Sequence, residues 1–101
     1  MMTIEGAMAG IEKRMAHAGG LHAKVLFDFG DDGKIFADTT VSPPVLSQED
    51  GDADLTLVTS LDTFEKILAG EQDPNLAVMF GKLKIRGSMG LAMKLGALLE
   101  G

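Results

Sequence analysis

Apolar residues near the start of the chain recur at helical spacing. Ile4, Met8, Ile11 and Met15 stand four, three and four apart, with Glu5, Glu12, Lys13 and Arg14 between them. That stripe predicts an amphipathic helix, stopped at Gly19-Gly20. From His22 to Phe29 the period drops to two, with Ala23, Val25, Phe27 and Phe29 on one face and Lys24 and Asp28 on the other. A strand is expected there. Gly30-Asp31-Asp32-Gly33 has turn chemistry, and Lys34 to Val41 alternates again through Ile35, Ala37, Thr39 and Val41. The two alternating runs therefore predict a hairpin. Pro43-Pro44 interrupts the pattern, and Val45 to Gln48 reads as a short third strand, at an edge where the missing proline donors do no damage.

The second half is equally regular. Ala53 to Thr59 alternates, with Leu55 and Leu57 on one side and Asp54 and Thr56 on the other, which predicts a fourth strand. Ser60 is placed to cap a helix over Leu61–Ala69, with Phe64, Ile67 and Leu68 as its stripe and Gly70 as its stop. Asp73 caps a second short helix, in which Pro74 holds the first position and Leu76, Ala77, Met79 and Phe80 are apolar up to Gly81. Lys82-Leu83-Lys84-Ile85-Arg86 alternates as a last strand, and after Gly87 the residue Ser88 caps a helix over Met89–Leu99. The expected fold is α+β, one domain over residues 1–101, with helices packed on one sheet.

Composition supports a globular chain. Of 101 residues, 46% are hydrophobic and 24% charged, near ordinary usage and far from disorder. There is no Cys, so disulfides, thiolate nucleophiles and Cys-based metal sites are excluded. The net charge of -6 argues against nucleic acid as a partner, since phosphate binding draws on clustered Lys and Arg. No stretch reaches the roughly 20 apolar residues of a bilayer span, and Met1-Met2-Thr3-Ile4-Glu5-Gly6 does not open a signal peptide. A cytoplasmic protein is expected. One imbalance stands out: seven Met and five Phe accompany no Trp and no Tyr.

No catalytic constellation is visible. Nucleophilic catalysis needs a nucleophile beside a base, and the two histidines, His17 and His22, flank a glycine pair without either a partner nucleophile or a third metal ligand placed by pattern. Gly87-Ser88-Met89-Gly90 lacks the spacing of a nucleophile elbow. Gly81 to Ser88 lacks the Gly-Lys-Ser/Thr end of a phosphate loop. The acidic run Glu49-Asp50-Gly51-Asp52-Ala53-Asp54 fails as a calcium loop, because counting from Asp50 puts Leu55 where Gly is needed and Leu61 where Glu is needed. A solvated turn between strands is the expectation, with no catalytic residue, no metal site and no cofactor.

Two features remain. From Asp28 to Asp54 there are eight acids and one Lys, whereas from Lys82 to Lys94 there are four bases and no acid. Lys82, Lys84 and Arg86 share one strand face; they either pair across the sheet with acids such as Asp54, or form a cationic rim for an anionic headgroup, a carboxylate or a membrane surface. The last helix, secondly, is apolar beyond the single stripe a core needs, with Met89, Leu91, Ala92, Met93, Leu95, Ala97, Leu98 and Leu99. If Leu91, Leu95 and Leu98 pack inward, Met89 and Met93 lie on a neighbouring face where Met79 and Phe80 can meet them. Met adapts its shape, so this wall serves the core or a dimer interface, or else a ligand of variable outline.

The run Gly81-Lys82-Leu83-Lys84-Ile85-Arg86-Gly87-Ser88-Met89-Gly90-Leu91-Ala92-Met93-Lys94-Leu95 closely resembles the C-terminal signature of the sterol carrier protein type-two, or sterol-binding-domain, family. Ala53 to Leu57 resembles that family's fourth strand, and Leu61 to Phe80 its pair of short helices, so the resemblance covers Ala53 to about Leu99. The first half matches in its order of elements. This resemblance implies a five-stranded, mainly antiparallel sheet with helices over one face, enclosing an apolar tunnel for a fatty acid, fatty acyl-CoA, sterol or phospholipid. It implies no cofactor and no reaction. Carried over by position, the tunnel wall corresponds to Phe64, Leu68, Leu76, Met79, Phe80, Met89 and Met93. Ser88 stands where members often have Asp or Asn, which keeps the capping role without the charge. The chain also lacks a peroxisomal Ser-Lys-Leu end.

Burying about fourteen methylenes at roughly 0.8 kcal/mol each gains about 11 kcal/mol gross. Lost motion takes back about 4 kcal/mol or more, so micromolar or tighter lipid binding is expected. The expected partner is a small apolar or amphipathic lipid, with transient membrane contact, in a monomer or weak homodimer. The competing expectation is an interaction module that docks through the last helix, its tunnel filled by side chains.

Overall fold

Four helices begin where a short polar side chain accepts an otherwise unpaired backbone N–H. Thr3 accepts from Gly6 at 3.0 Å ahead of α1 (Ile4–Met15), and Ser60 from Thr63 at 3.0 Å ahead of α2 (Leu61–Leu68). Asp73 accepts from Asn75 at 2.8 Å ahead of α3 (Pro74–Met79), and Ser88 from Leu91 at 3.3 Å ahead of α4 (Met89–Glu100). Each cap contributes about 1 kcal/mol. The structure, a computed structural model, describes residues 1–16 and 21–100. The Gly19-Gly20 stop and His17 lie outside the described residues.

The strands are β1 (Lys24–Asp28), β2 (Lys34–Asp38), β3 (Val45–Ser47), β4 (Leu55–Thr59) and β5 (Leu83–Gly87), in the spatial order β3-β2-β1-β4-β5. Three of the pairings are antiparallel; the β1–β4 pair is parallel. The expected hairpin is β1–β2, closed through a 3-10 turn at Gly30–Asp32, and the proline-flanked strand β3 does lie at an edge. The central register sets Val25 beside Ala37 and Leu55, and Phe27 beside Ile35 and Leu57. Period two then turns all six side chains to one face. Ala7, Ile11 and Met15 of α1, Phe64 and Ile67 of α2, Ala77 of α3, and Leu95 and Leu99 of α4 all pack on that face. The fold is α+β, with the helices on one side of a mixed sheet.

The opposite face is mostly polar but not uncovered. Leu26 is buried there, paired with Phe36 across the β1–β2 register. The chain at Gly51 lies over the Phe36 ring, so closely that a Cβ added to Gly51 would stand 3.0 Å from it. The acidic run is tied down in the same region, where Asp50 Oδ2 accepts from Lys34 Nζ at 3.1 Å. That hydrogen bond and the ammonium charge hold the Asp50 carboxyl below the ordinary aspartate value.

The β5 cations do not find the acids expected of them. Register places Arg86 opposite Thr56 and Lys84 opposite Val58. Asp54 lies beyond the end of that ladder and instead accepts the Lys24 backbone N–H at 3.0 Å. The ion pairs among the described residues, Met1–Glu65, Lys34–Asp50 and Lys66–Asp62, involve none of Lys82, Lys84 and Arg86.

Candidate functional site

Between α4 and the sheet is a cavity of about 240 Å³. Its floor is Leu57 and Thr59 of β4 with Leu83 and Ile85 of β5, and Phe64 and Ile67 of α2 close one end. Pro74, Asn75 and Val78 of α3 form the far rim. The roof is one face of α4, where Met89, Ala92, Met93, Gly96 and Ala97 recur at helical spacing.

Each wall follows from local chemistry. Phe64 is fixed edge-on against two rings, Phe27 of β1 at 5.7 Å and Phe29 just after that strand at 5.3 Å between centroids. Such pairs add about 0.5–1.5 kcal/mol beyond area burial, so this end of the cavity is rigid. The roof, by contrast, is soft and sparse. Gly96 and the two alanines leave space where larger side chains would fill it, and a Cβ added to Gly96 would meet no atom within 4 Å. A helix-interior glycine costs about 0.8–1 kcal/mol relative to alanine; here it keeps the cavity open.

Among the described residues, no charged side chain lines the cavity. Of its two polar residues, Thr59 already donates its hydroxyl to the Lys82 carbonyl oxygen at 2.8 Å, which leaves Asn75 at the rim. The site can hold an apolar body and offers its deep part no counter-charge. A ligand's polar group is accommodated at the mouth, since burying it unpaired costs several kcal/mol.

Of the residues expected to form a tunnel wall, Phe64, Met89 and Met93 lie together in this lining. Leu68 is half-buried toward α1, its Cδ1 3.0 Å from where a Cβ on Gly10 would stand. Leu76, Met79 and Phe80 are exposed and outside the lining, with Met79 at 77% and Phe80 at 70%. They do not meet Met89 and Met93 across the cavity. Val78, Ile85 and Gly96 were not foreseen as wall residues. For Ile85 the signal was present in the alternation of β5, and for Gly96 in its spacing of seven and three from Met89 and Met93 along one helix face. On α4 the packing follows expectation: Leu95 and Leu99 are buried, with Leu91 and Leu98 against the same core.

An apolar C-terminal helix roofs a cavity whose lining suits an apolar ligand. The model of the SCP-2 sterol transfer family matches residues 10–100, and the chain belongs to that family. Membership places it among domains of sterol or lipid binding or transfer. Over 48 residues, 48% of this chain and 12% of the relative, it is 47% identical to hydroxysteroid dehydrogenase-like protein 2 of Bos taurus. Over 51 residues, 50% of this chain and 9% of the relative, it is 45% identical to sterol carrier protein 2 of Homo sapiens. The chain thus spans about a tenth of the length of these relatives. Among solved structures, sterol carrier protein 2 from Yarrowia lipolytica superimposes with a TM-score of 0.75 over 94% of this chain and 88% of the other, at 19% identity. That likeness is one of fold.

Proposed function

We propose that the chain is a non-enzymatic lipid carrier. It holds the apolar part of a fatty acid, fatty acyl-CoA, sterol or phospholipid between α4 and the sheet, and leaves the polar part at the Asn75 rim. The observation that carries this reading is the charge-free lining roofed by Gly96, Ala92 and the two methionines. No cofactor and no reaction belong to it, and where the chain is part of a longer protein it acts as the lipid-holding part.

At about 240 Å³ the cavity falls below the roughly 300–1,000 Å³ of ligand pockets. Loading therefore widens it. Met89 and Met93, at 61% and 76% exposure, are free to change rotamer, and α4 moves outward with them. Phe64, locked by its two ring partners, stays. Leu68, behind α2, acts by supporting that wall.

The competing reading, a docking helix over a filled interior, fits less well, because Leu95 and Leu99 are spent on the chain's own core and the interior beneath Met93 is open. A monomer or weak homodimer in the cytoplasm completes the proposal; sedimentation and cell fractionation test those two points. Native mass spectrometry of the protein as purified tests the main one. The expected result is a one-to-one lipid adduct. An unliganded protein that also takes up none of the four lipid classes after delipidation overturns the reading.

A further inference from the structure

We propose that the edge of the domain formed by β5, with the exposed ends of α3 and α4 beside it, docks on an anionic phospholipid bilayer. Two independent features meet at this edge. On the helix side, Met79 and Phe80 at the end of α3 and Met89 and Met93 on α4 are large apolar side chains left in solvent. On the opposite face, Lys84 and Arg86 project from β5, and Lys82 directly precedes the strand. These three are exposed, and none forms an ion pair among the described residues. Lys94, also exposed, follows Met93 on α4.

Charge complementarity selects the occupant. Lys82 to Lys94 holds four bases and no acid, while the rest of the chain holds all 15 acids against five bases. The sheet order carries this imbalance across the molecule, since β5 is one edge and the acid-rich β2–β3 side is the other. An anionic surface attracts the first edge and repels the second, so it orients the domain. The side chains suit an interface: Phe and Met enter the headgroup–acyl boundary, and Lys and Arg lay their stems along it with charges among the phosphates. Docking this way also brings the cavity roof, to which Met89 and Met93 belong, to the lipid. The inference goes beyond the carrier reading and stands without it.

The test is co-sedimentation of the full chain with vesicles of phosphatidylcholine alone and of phosphatidylcholine mixed with phosphatidylserine. Binding is expected to the mixed vesicles, weakening as salt rises. Each cation removed should cost about fivefold in partition, so Lys84→Gln combined with Arg86→Gln should cost about 30-fold. Neither residue lines the cavity, and lipid uptake by that double variant in solution should match the parent. Phe80→Ser should weaken binding to the mixed vesicles independently of salt. Because the protein has no Cys, a polarity-sensitive dye on Phe80→Cys reports orientation against one on Gln48→Cys just after β3; only the first should shift to the blue.

Equal partition onto both vesicle types, or onto neither, overturns the proposal, as does an unchanged partition of the double variant. A stable dimer in sedimentation velocity that buries Phe80 and abolishes vesicle binding also overturns it, in favour of a second copy as the occupant. None of these outcomes touches the lipid adduct in native mass spectrometry, so the two readings fail separately.

Discussion

Arg14 on α1 donates from Nε to the carbonyl oxygen of Leu99 on α4, 3.1 Å away. The same guanidinium reaches the carbonyl oxygens of Leu68, at the end of α2, at 3.0 Å and of Gly10 at 3.2 Å. Carbonyls in the last turn of a helix have no intrahelical donor and carry the negative end of the macrodipole. One half-buried cation thus ties the ends of α2 and α4 to α1. The amphipathic reading of α1 placed Arg14 with the polar residues; that its planar fork collects three carbonyls from three helices depends on their packing and was not legible.

Arg14→Met keeps most of the stem and removes the donors. Hydrogen bonds to charged groups contribute about 1.5–3 kcal/mol, and at about 4–8 °C per kcal/mol for a chain of this size the melting temperature should fall by about 6 °C or more. Hydrogen exchange should localise the loosening to α4, with β1 and β4 protected as before. A uniform rise in exchange across the sheet would contradict this role.

Gly96→Leu should separate stability from loading. The new side chain enters open space on the cavity roof, and leucine is a better helix former than glycine by up to about 1 kcal/mol. The variant is expected to melt at or above the parent temperature and to lose lipid uptake by tenfold or more, about the effect of 1.4 kcal/mol. Unfolding of this variant would show that the space is not there.

Gly87→Ala is expected to be far worse than Gly81→Ala. Both glycines have positive φ, 116° and 73°, but a Cβ on Gly87 would stand 2.4 Å from the Asp54 carbonyl oxygen, whereas one on Gly81 meets nothing within 4 Å. Gly81→Ala should cost about 1–2 kcal/mol of left-handed strain. Gly87→Ala adds a backbone clash at the start of α4, and urea midpoints should rank the two in that order.

The ladder geometry at the same place explains what the sequence did and did not reveal. Alternation identified β1, β2, β4 and β5 and the face each turns inward, because period two is a local property. Which strands become neighbours is not local, and the parallel β1–β4 pair had no signal of its own. The β4–β5 register likewise left Asp54 beyond reach of Lys84 and Arg86, so the expected cross-strand pairing fails. On α3, six residues long, burial of the small Ala77 against the core sets the phase, sending Pro74 and Val78 to the cavity rim and leaving Leu76, Met79 and Phe80 outside. Residue size pointed the other way. The longer α4 carries enough turns for its stripes to be read, and Met89 and Met93 fall in the lining.

The Lys34–Asp50 pair predicts a small pH effect in the acid range. Its hydrogen bond lowers the Asp50 pKa, so the stability it contributes is present above the unfolded value of about 3.9 and is lost as pH falls through the folded one. Asp50→Asn should therefore be slightly less stable than the parent at neutral pH, and the difference should close below that window. A difference that persists in strong acid would assign the effect to packing of the acidic run over Phe36 instead.

The carrier reading is tested most directly by titrating the delipidated protein with a fluorescent fatty acid, in a chain whose lack of Trp and Tyr leaves the signal clean, and displacing the probe with unlabelled fatty acid, acyl-CoA, sterol and phospholipid. Saturable one-site binding at micromolar or tighter affinity, displaced by at least one of these classes and lost in Gly96→Leu, is the predicted result. The absence of saturable binding to every class, or binding that Gly96→Leu leaves untouched, would contradict the account.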